Sequence, residues 1–477
     1  MKVFKKDVKE AKNGVSNSFA LECKKFDAFW KNAGNYIFSR ERDGIVIIPP
    51  NQVFKVNKSG CQLLSWLKKG NKAQSLKPNP QYCDDIALFL KTLRFLYSSN
   101  TAFSKNDYSE KEKSSDNNFN NDEFNNVQIP FVPYNFDFTS NPVLGEIAVT
   151  YACNNRCRFC YAGCNGSEKD KGSAKRLEMK EKSTNDLKKI IRVFAKDAEI
   201  PFFSFTGGEP LVRKDLVKLV AFGKKQKLSM NLVSNGTLAT ESRAESLFKA
   251  GLKTAQISVE APTAELHDYL VGRKGAFEEG IRGIKNLQKA GFSVQTNTTI
   301  TALNCDSVLK MPSFLKSIGV TRFAMNMYIP SGTGLSHDEL FISYDKIGDV
   351  VDAVTKAAQK EEMTFYWYSP TPFCYYNPIA RGHGNKSCAA SDGLISVAPN
   401  GDVLPCSSWD EPIGNLLTDS FDSVWFSSRA SFFKHKKFAP KECEGCSSFT
   451  ACQGACPLYW RYSGTELLCK KNNSSEN

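Results

Sequence analysis

The chain has sixteen cysteines, and they are unevenly placed. Three stand in the run Cys153-Asn154-Asn155-Arg156-Cys157-Arg158-Phe159-Cys160, a C-x3-C-x2-C spacing. Three thiolates leave a tetrahedral zinc site one ligand short. They suffice to hold a 4Fe–4S cluster by three irons, with the fourth iron open to bind a ligand and pass it an electron. A second group reads Cys388-x12-Gly401-x4-Cys406, then Cys443-x2-Cys446-x5-Cys452-x3-Cys456, then Cys469. Cysteines so spaced bind metal, and zinc fits them locally. Cys164 lies four residues beyond the first group, where a fourth ligand would block the open iron, so it reads as a non-ligand. Cys23, Cys61, Cys83 and Cys305 are isolated and read as small buried hydrophobes.

Thiols of this kind need a reducing compartment, and the rest of the chain agrees. The N-terminal run MKVFKKDVKEAKNG has no apolar signal region, and no uncharged apolar stretch approaches membrane-spanning length. A cytoplasmic protein is expected, with its cysteines serving metal or redox chemistry rather than disulfides. At 477 residues, 41% hydrophobic and 24% charged, the chain can bury large cores and divides into two to four domains. The net charge of +13 comes from Lys and Arg spread along the chain without interleaved aromatics. That favours a solvated surface over nucleic-acid binding and leaves room for a basic patch facing an acidic peptide.

The elements around the first cysteines alternate. Glu146–Thr150 reads as a strand, with Tyr151 and the cysteine run directly after it. Leu187, Ile190, Ile191 and Phe194 then mark a helix behind Ser183/Thr184. Strands follow at 202–205, 229–233, 254–259 and 292–298, with helices between them and Ala-Gly stops at 250–251 and 290–291. Repeated βα units make a parallel sheet covered by helices, open or barrel-like, with its chemistry at the C-terminal strand ends. From about 370 the composition turns to Gly, Pro, Asn and Cys, a loop-rich region that needs metal staples.

The cysteine run, with Phe159 in its aromatic slot, resembles the radical S-adenosylmethionine (radical SAM) enzymes over about 145–345. The resemblance implies a partial (β/α)6 TIM-like barrel at 140–345 within an α/β fold. It implies a 4Fe–4S cluster on Cys153, Cys157 and Cys160, whose open iron is chelated by S-adenosylmethionine. Reductive cleavage then yields a 5′-deoxyadenosyl radical that abstracts a substrate hydrogen. Thr206-Gly207-Gly208-Glu209-Pro210, Ser234-Asn235-Gly236, and Ser258 with Glu260 stand at successive strand ends, and the resemblance implies cofactor contacts there. Glu260 departs from the usual Asp. His267, Asp268 and Arg273 divide evenly between structural and functional roles.

Seven positions of the second group match the SPASM extension of these enzymes, implied here at 370–470 with two auxiliary 4Fe–4S clusters. By resemblance Cys388, Cys406 and Cys456 hold the first. Cys443, Cys446, Cys452 and Cys469 hold the second. Cys374 is the upstream candidate to complete the first, against an open iron there.

Residues 1–100, with a core at 34–100, form a winged-helix-like α+β module. It has a hairpin at Asp43-Gly44, a helix from Asn57 or Ser59 to Gly70, and a helix at Asp84–Tyr97. This pattern resembles the PqqD-like element that takes a leader peptide as an added strand. Residues 101–128 are rich in Asn, Ser, Asp, Glu and Lys and read as a disordered linker. The expectation is therefore an enzyme that oxidises or crosslinks a ribosomally made precursor peptide, fed by a low-potential donor such as flavodoxin or ferredoxin. A protein residue (as in sulfatase maturation) or a small cofactor precursor is the alternative substrate. A zinc-stabilised nucleic-acid-binding or scaffold protein is the alternative class.

Overall fold

The computed structural model describes residues 17–48, 52–99, 139–164 and 180–468. The segment expected as a linker, 101–128, lies outside them, as does Cys469. The chain divides into two compact units, 1–133 and 134–477.

The first unit opens with a helix that the sequence reading did not anticipate, α1 (Asn17–Ala33). Phe19, Cys23, Phe26 and Phe29 fall on its inner face and are buried. Three short strands follow, β1 (Phe38–Arg40), β2 (Ile45–Ile48) and β3 (Gln52–Lys55), paired antiparallel in sequential order. Gly44 makes the hairpin turn with φ 60°, a conformation that favours glycine. Helix α2 (Lys58–Lys68) starts on Asn57, whose side chain accepts from the Gly60 N–H at 2.8 Å. Helix α3 (Cys83–Ser99) packs on α1 through Phe29 and Tyr97 and through an Arg94–Glu22 ion pair of 2.8 Å.

The second unit is built on one ten-stranded sheet. Its parallel part runs β4 (Leu144–Thr150), β5 (Phe202–Gly207), β6 (Ser229–Ser234), β7 (Thr254–Ser258), β8 (Ser293–Ile300), β9 (Arg322–Met327) and β10 (Thr364–Trp367), each beside the next. Helices α4 (Thr184–Lys196), α5 (Leu216–Lys225), α6 (Glu241–Ala250), α7 (Ala264–Val271), α8 (Ala276–Lys289), α9 (Met311–Ser317) and α10 (Tyr344–Lys360) lie between the strands in sequence. Alternation within each strand sorts the residues. Ile147 and Val149 join the core with Leu187, Ile190, Ile191 and Phe194 of α4, while Glu146, Ala148 and Thr150 take the opposite face. The fold is thus mixed α/β with a large parallel sheet, the partial barrel expected of the core.

The sheet does not stop at that core. β11 (Leu394–Val397) pairs in parallel with β4, and β12 (Asp402–Leu404) and β13 (Gly414–Asn415) extend it antiparallel. Ser396 stands opposite Glu146 and donates to its carboxylate. The cysteine-rich segment is therefore joined to the strand that carries the first cysteine run. Among the described residues, no helix is long and apolar enough to cross a membrane.

Candidate active site and auxiliary cysteine groups

The loop after β4 carries Cys153, Cys157 and Cys160 and is fastened on three sides. The Arg156 and Arg158 N–H groups donate to Val271 and Leu270 carbonyls at the end of α7, both at 3.0 Å. The Thr333 hydroxyl donates to the Cys157 and Cys160 carbonyls at 3.2 and 3.1 Å. Asn154 bonds Thr237 and Asn235 at 2.8 and 2.9 Å. The three thiols interact electrostatically. Burial pushes Cys153 up to about 11 and raises Cys157, whereas a hydrogen bond from Cys164 lowers Cys160 to about 7. Buried Cys164 thus supports Cys160. Phe159 sits in an apolar cluster with Leu270, Tyr328 and Leu340.

Gly207 and Gly208 bring the β5 loop against the cysteine loop. A Cβ at Gly207 would lie 2.1 Å from the Thr150 carbonyl oxygen, and one at Gly208 would lie 2.4 Å from that of Ala152. The backbone approach is closer than any side chain allows. It lets the Glu209 N–H reach the Ala152 carbonyl at 2.9 Å. Buried Glu209 accepts from Ser234 Oγ and Asn235 N–H, each at 2.8 Å, and from Leu211 N–H at 2.9 Å. Desolvation nonetheless raises it to about 6. Glu209 therefore locks Ser234 and Asn235 in place, and Pro210 follows it in a short buried turn.

Ser258 ends β7 opposite Asn297. Buried Glu260 accepts from the Thr299 N–H at 2.8 Å and acts electrostatically on Cys157. Burial raises it to about 8. The downstream trio does structural work. His267 Nδ1 accepts from the Glu260 N–H at 3.1 Å. Asp268 accepts from Gly275 and Phe277 N–H groups at the start of α8. Arg273 bonds Asn155 at 2.7 Å and Glu279 at 2.6 Å.

The second group divides in two. Cys388, Cys406 and Cys456 act on one another, and burial raises all three, Cys456 to about 12. The Cys456 N–H donates to the buried Tyr344 hydroxyl at 3.4 Å. Cys443, raised by burial to about 12, interacts with Cys452, Cys374 and Cys446. Cys374, expected as the candidate to complete the Cys388, Cys406 and Cys456 group, interacts with Cys443 of the other group. The Phe373 N–H donates to Cys452 Sγ at 3.4 Å, and the Tyr375 hydroxyl donates to the Leu467 carbonyl at 2.6 Å. Those two bonds carry Cys374 to the Cys443 group.

Sequence reasoning missed four contributors. Thr333 lies in a Ser-Gly-Thr-Gly run just past β9, a turn signal at a strand's C-terminal end. Asn154 lies within the first cysteine run, and Thr237 directly follows Ser234-Asn235-Gly236. Glu146 is an acid on an otherwise apolar strand. Bonded to Ser396 and Ser407, it acts on Tyr161 beside the first cysteine run and on Cys406 in the second group.

Three thiols on one loop, beside backbone that only glycine lets approach so closely, suit a 4Fe–4S cluster held by three irons with the fourth left open.

The radical SAM superfamily matches residues 147–306, and the iron–sulfur cluster-binding SPASM domain matches residues 388–447. The chain carries a radical SAM domain and a SPASM domain. Its cofactors are S-adenosylmethionine and 4Fe–4S clusters, one in the radical SAM domain and auxiliary ones in the SPASM domain. It is 27% identical to an AdoMet-dependent heme synthase of Nitratidesulfovibrio vulgaris, over 67% of this chain and 88% of that protein. It is 26% identical to the mycofactocin maturase MftC of Mycolicibacterium smegmatis, over 68% and 81%. In fold it is similar to SuiB of Streptococcus suis, solved bound to its precursor peptide SuiA, with a TM-score of 0.62 at 18% identity over 90% of this chain and 96% of that one.

Proposed function

We propose that this radical SAM enzyme oxidatively modifies or crosslinks a ribosomally made precursor peptide held by its leader. The observation that carries the reading is the extent of the SuiB likeness. The second unit, 134–477, is under three-quarters of the chain. A likeness over 90% must reach into the first unit, whereas the heme synthase match over 67% need not. The first unit, with its core at 34–100, then serves as the PqqD-like module, offering the outer edge of β3 to the leader.

In this reading Cys153, Cys157 and Cys160 hold the radical-generating cluster. Gly207, Gly208, Glu209, Pro210, Ser234, Asn235, Ser258 and Glu260 surround S-adenosylmethionine, with Phe159 fixing the loop. Once bound, these groups supply the one-electron chemistry that removes a substrate hydrogen atom. Glu209 orients Ser234 and Asn235. Glu260 stays largely protonated at neutral pH and spares the neighbouring thiolates a further negative charge. Cys388, Cys406 and Cys456 hold one auxiliary cluster. Cys443, Cys446 and Cys452 hold the other, with Cys374 beside them and Cys469 as the family's fourth ligand. Electrons enter from a low-potential donor such as flavodoxin or ferredoxin.

The test is anaerobic incubation with a candidate short precursor peptide, S-adenosylmethionine and reductant. The expected result is a mass loss in the peptide alongside 5′-deoxyadenosine, and no turnover of the leaderless core peptide. Deoxyadenosine without any peptide change refutes the proposal. The sequence similarity to heme synthases favours a second reading, a small cofactor precursor as substrate. Turnover of an iron porphyrin with no peptide present would establish it.

A further inference from the structure

Lys and Arg run along the whole chain, but the first unit has few acids to offset them. Residues 17–99 hold thirteen Lys and Arg against six Asp and Glu, more than half of the chain's net +13. Part of it lines a groove of about 580 Å³ between α1 and the end of α2, with Lys24, Trp30, Lys31, Lys68 and Lys72 on its walls. Lys24, Ala28 and Lys31 form one exposed stripe of α1, spaced i, i+4, i+7. Lys72 faces them from the turn after α2.

The groove has one carboxylate, Asp27, and it is already engaged. Its two oxygens accept from the Ala73 and Gln74 N–H groups at 2.6 and 3.1 Å. Lys68 is engaged too: it donates to the Gly34 carbonyl and lies over the Trp30 and Phe38 rings at 5.6 and 4.9 Å. Lys24, Lys31 and Lys72 have no carboxylate within ion-pair distance among the described residues. Three ammonium groups with no carboxylate partner among the described residues, around a groove with an indole in its wall, call for an anionic, extended partner. A single aromatic does not make the stacking series that single-stranded nucleic acid uses.

We propose that this groove docks an acidic peptide segment, its carboxylates on Lys24, Lys31 and Lys72 and its apolar side chains on Trp30. The site lies on α1 and the end of α2, on the β1 side of the small sheet rather than at β3, and is a second hold on the chain's peptide. Its assignment to the substrate, though not its chemistry, rests on the peptide-maturase reading.

The test uses the full-length, cluster-loaded protein and a short fluorescein-labelled peptide of alternating glutamate and alanine, with its glutamine counterpart as control. Fluorescence anisotropy should show binding of the glutamate peptide that weakens with salt. Lys31→Glu/Lys72→Glu should weaken it roughly tenfold, the effect of two exposed pairs. Lys218→Glu on α5 should leave it unchanged. The milder Lys31→Gln/Lys72→Gln variant should give a smaller loss if the reversal perturbs folding. Equal binding of the two peptides, unchanged binding by the double variant, or tighter binding of a single-stranded oligonucleotide overturns the proposal. Variant-sensitive glutamate binding without precursor modification instead overturns the maturase reading and leaves the groove standing.

Discussion

Lys436 is the residue whose loss should be felt most sharply in the SPASM domain. Its side chain is 0% exposed, and its ammonium group pairs with Asp392 at 2.9 Å. The same group donates to the Cys388 carbonyl at 2.6 Å. In Lys436→Met, Asp392 keeps a charge that is nine-tenths buried, and the Cys388 carbonyl loses its donor. Breaking a buried pair from one side costs about 3–5 kcal/mol, with the orphaned carbonyl inside that figure. Asp392→Asn in the same chain removes that buried charge and should recover about 2 kcal/mol, leaving a non-additive cycle. Urea unfolding of Lys436→Met, Asp392→Asn and the double variant measures this. Iron content per chain reads the position of Cys388 independently and should fall in Lys436→Met. A cost under ~1 kcal/mol, or strictly additive variants, would refute the reasoning that this pair holds the Cys388 segment.

Four further outcomes are expected. Cys374→Ser should alter the same reduced-cluster electron paramagnetic resonance signal as Cys443→Ser and leave untouched the one that Cys406→Ser alters. Gly208→Ala, whose Cβ would press 2.4 Å onto the Ala152 oxygen, should weaken S-adenosylmethionine binding roughly tenfold by calorimetry. Burial lowers His267 to about 4, so its neutral form stabilises the fold. That contribution is complete above the unfolded value near 6.5 and is lost as pH falls towards 4, roughly 3 kcal/mol in all, and His267→Gln should flatten the melting profile over that window. Thr333→Val should cost about 1 kcal/mol and quicken loss of the radical SAM cluster under chelator, because two carbonyls of the cysteine loop each lose one of their donors while keeping backbone ones.

Much of the barrel was legible because its signals are local. Alternating strands, helix caps and the Asp43-Gly44 turn each act within a few residues. Helix α1 was equally legible and was passed over: Phe19, Cys23, Phe26 and Phe29 follow helical spacing in a run otherwise full of lysine. The cysteine triad declared itself by spacing, and the Gly207-Gly208-Glu209 turn by its fit to the pattern of the family that the triad resembles. What spacing could not show was Glu209 turning its carboxylate to Ser234 and Asn235, because that depends on β5 and β6 lying side by side. Cys374 illustrates the same limit. Its partner group was assigned by proximity in sequence to Cys388. Its actual place is set by bonds from Phe373 to Cys452 and from Tyr375 to Leu467, contacts that exist only once the chain has folded.

The pairing of β11 with β4 also bears on how the protein is made. Ser396 and Glu146 meet across 250 residues of chain. At ~5–20 residues per second, a ribosome needs roughly 12 to 50 seconds to deliver β11 after β4 has emerged. For that interval one edge of β4 stands unpaired, directly beneath the cysteine loop, offering a template to other strands. Iron–sulfur loading before β11 docks would act on a loop whose supporting strand is still half bare. A nascent chain stalled before residue 394 should therefore be both aggregation-prone and poor at retaining its first cluster.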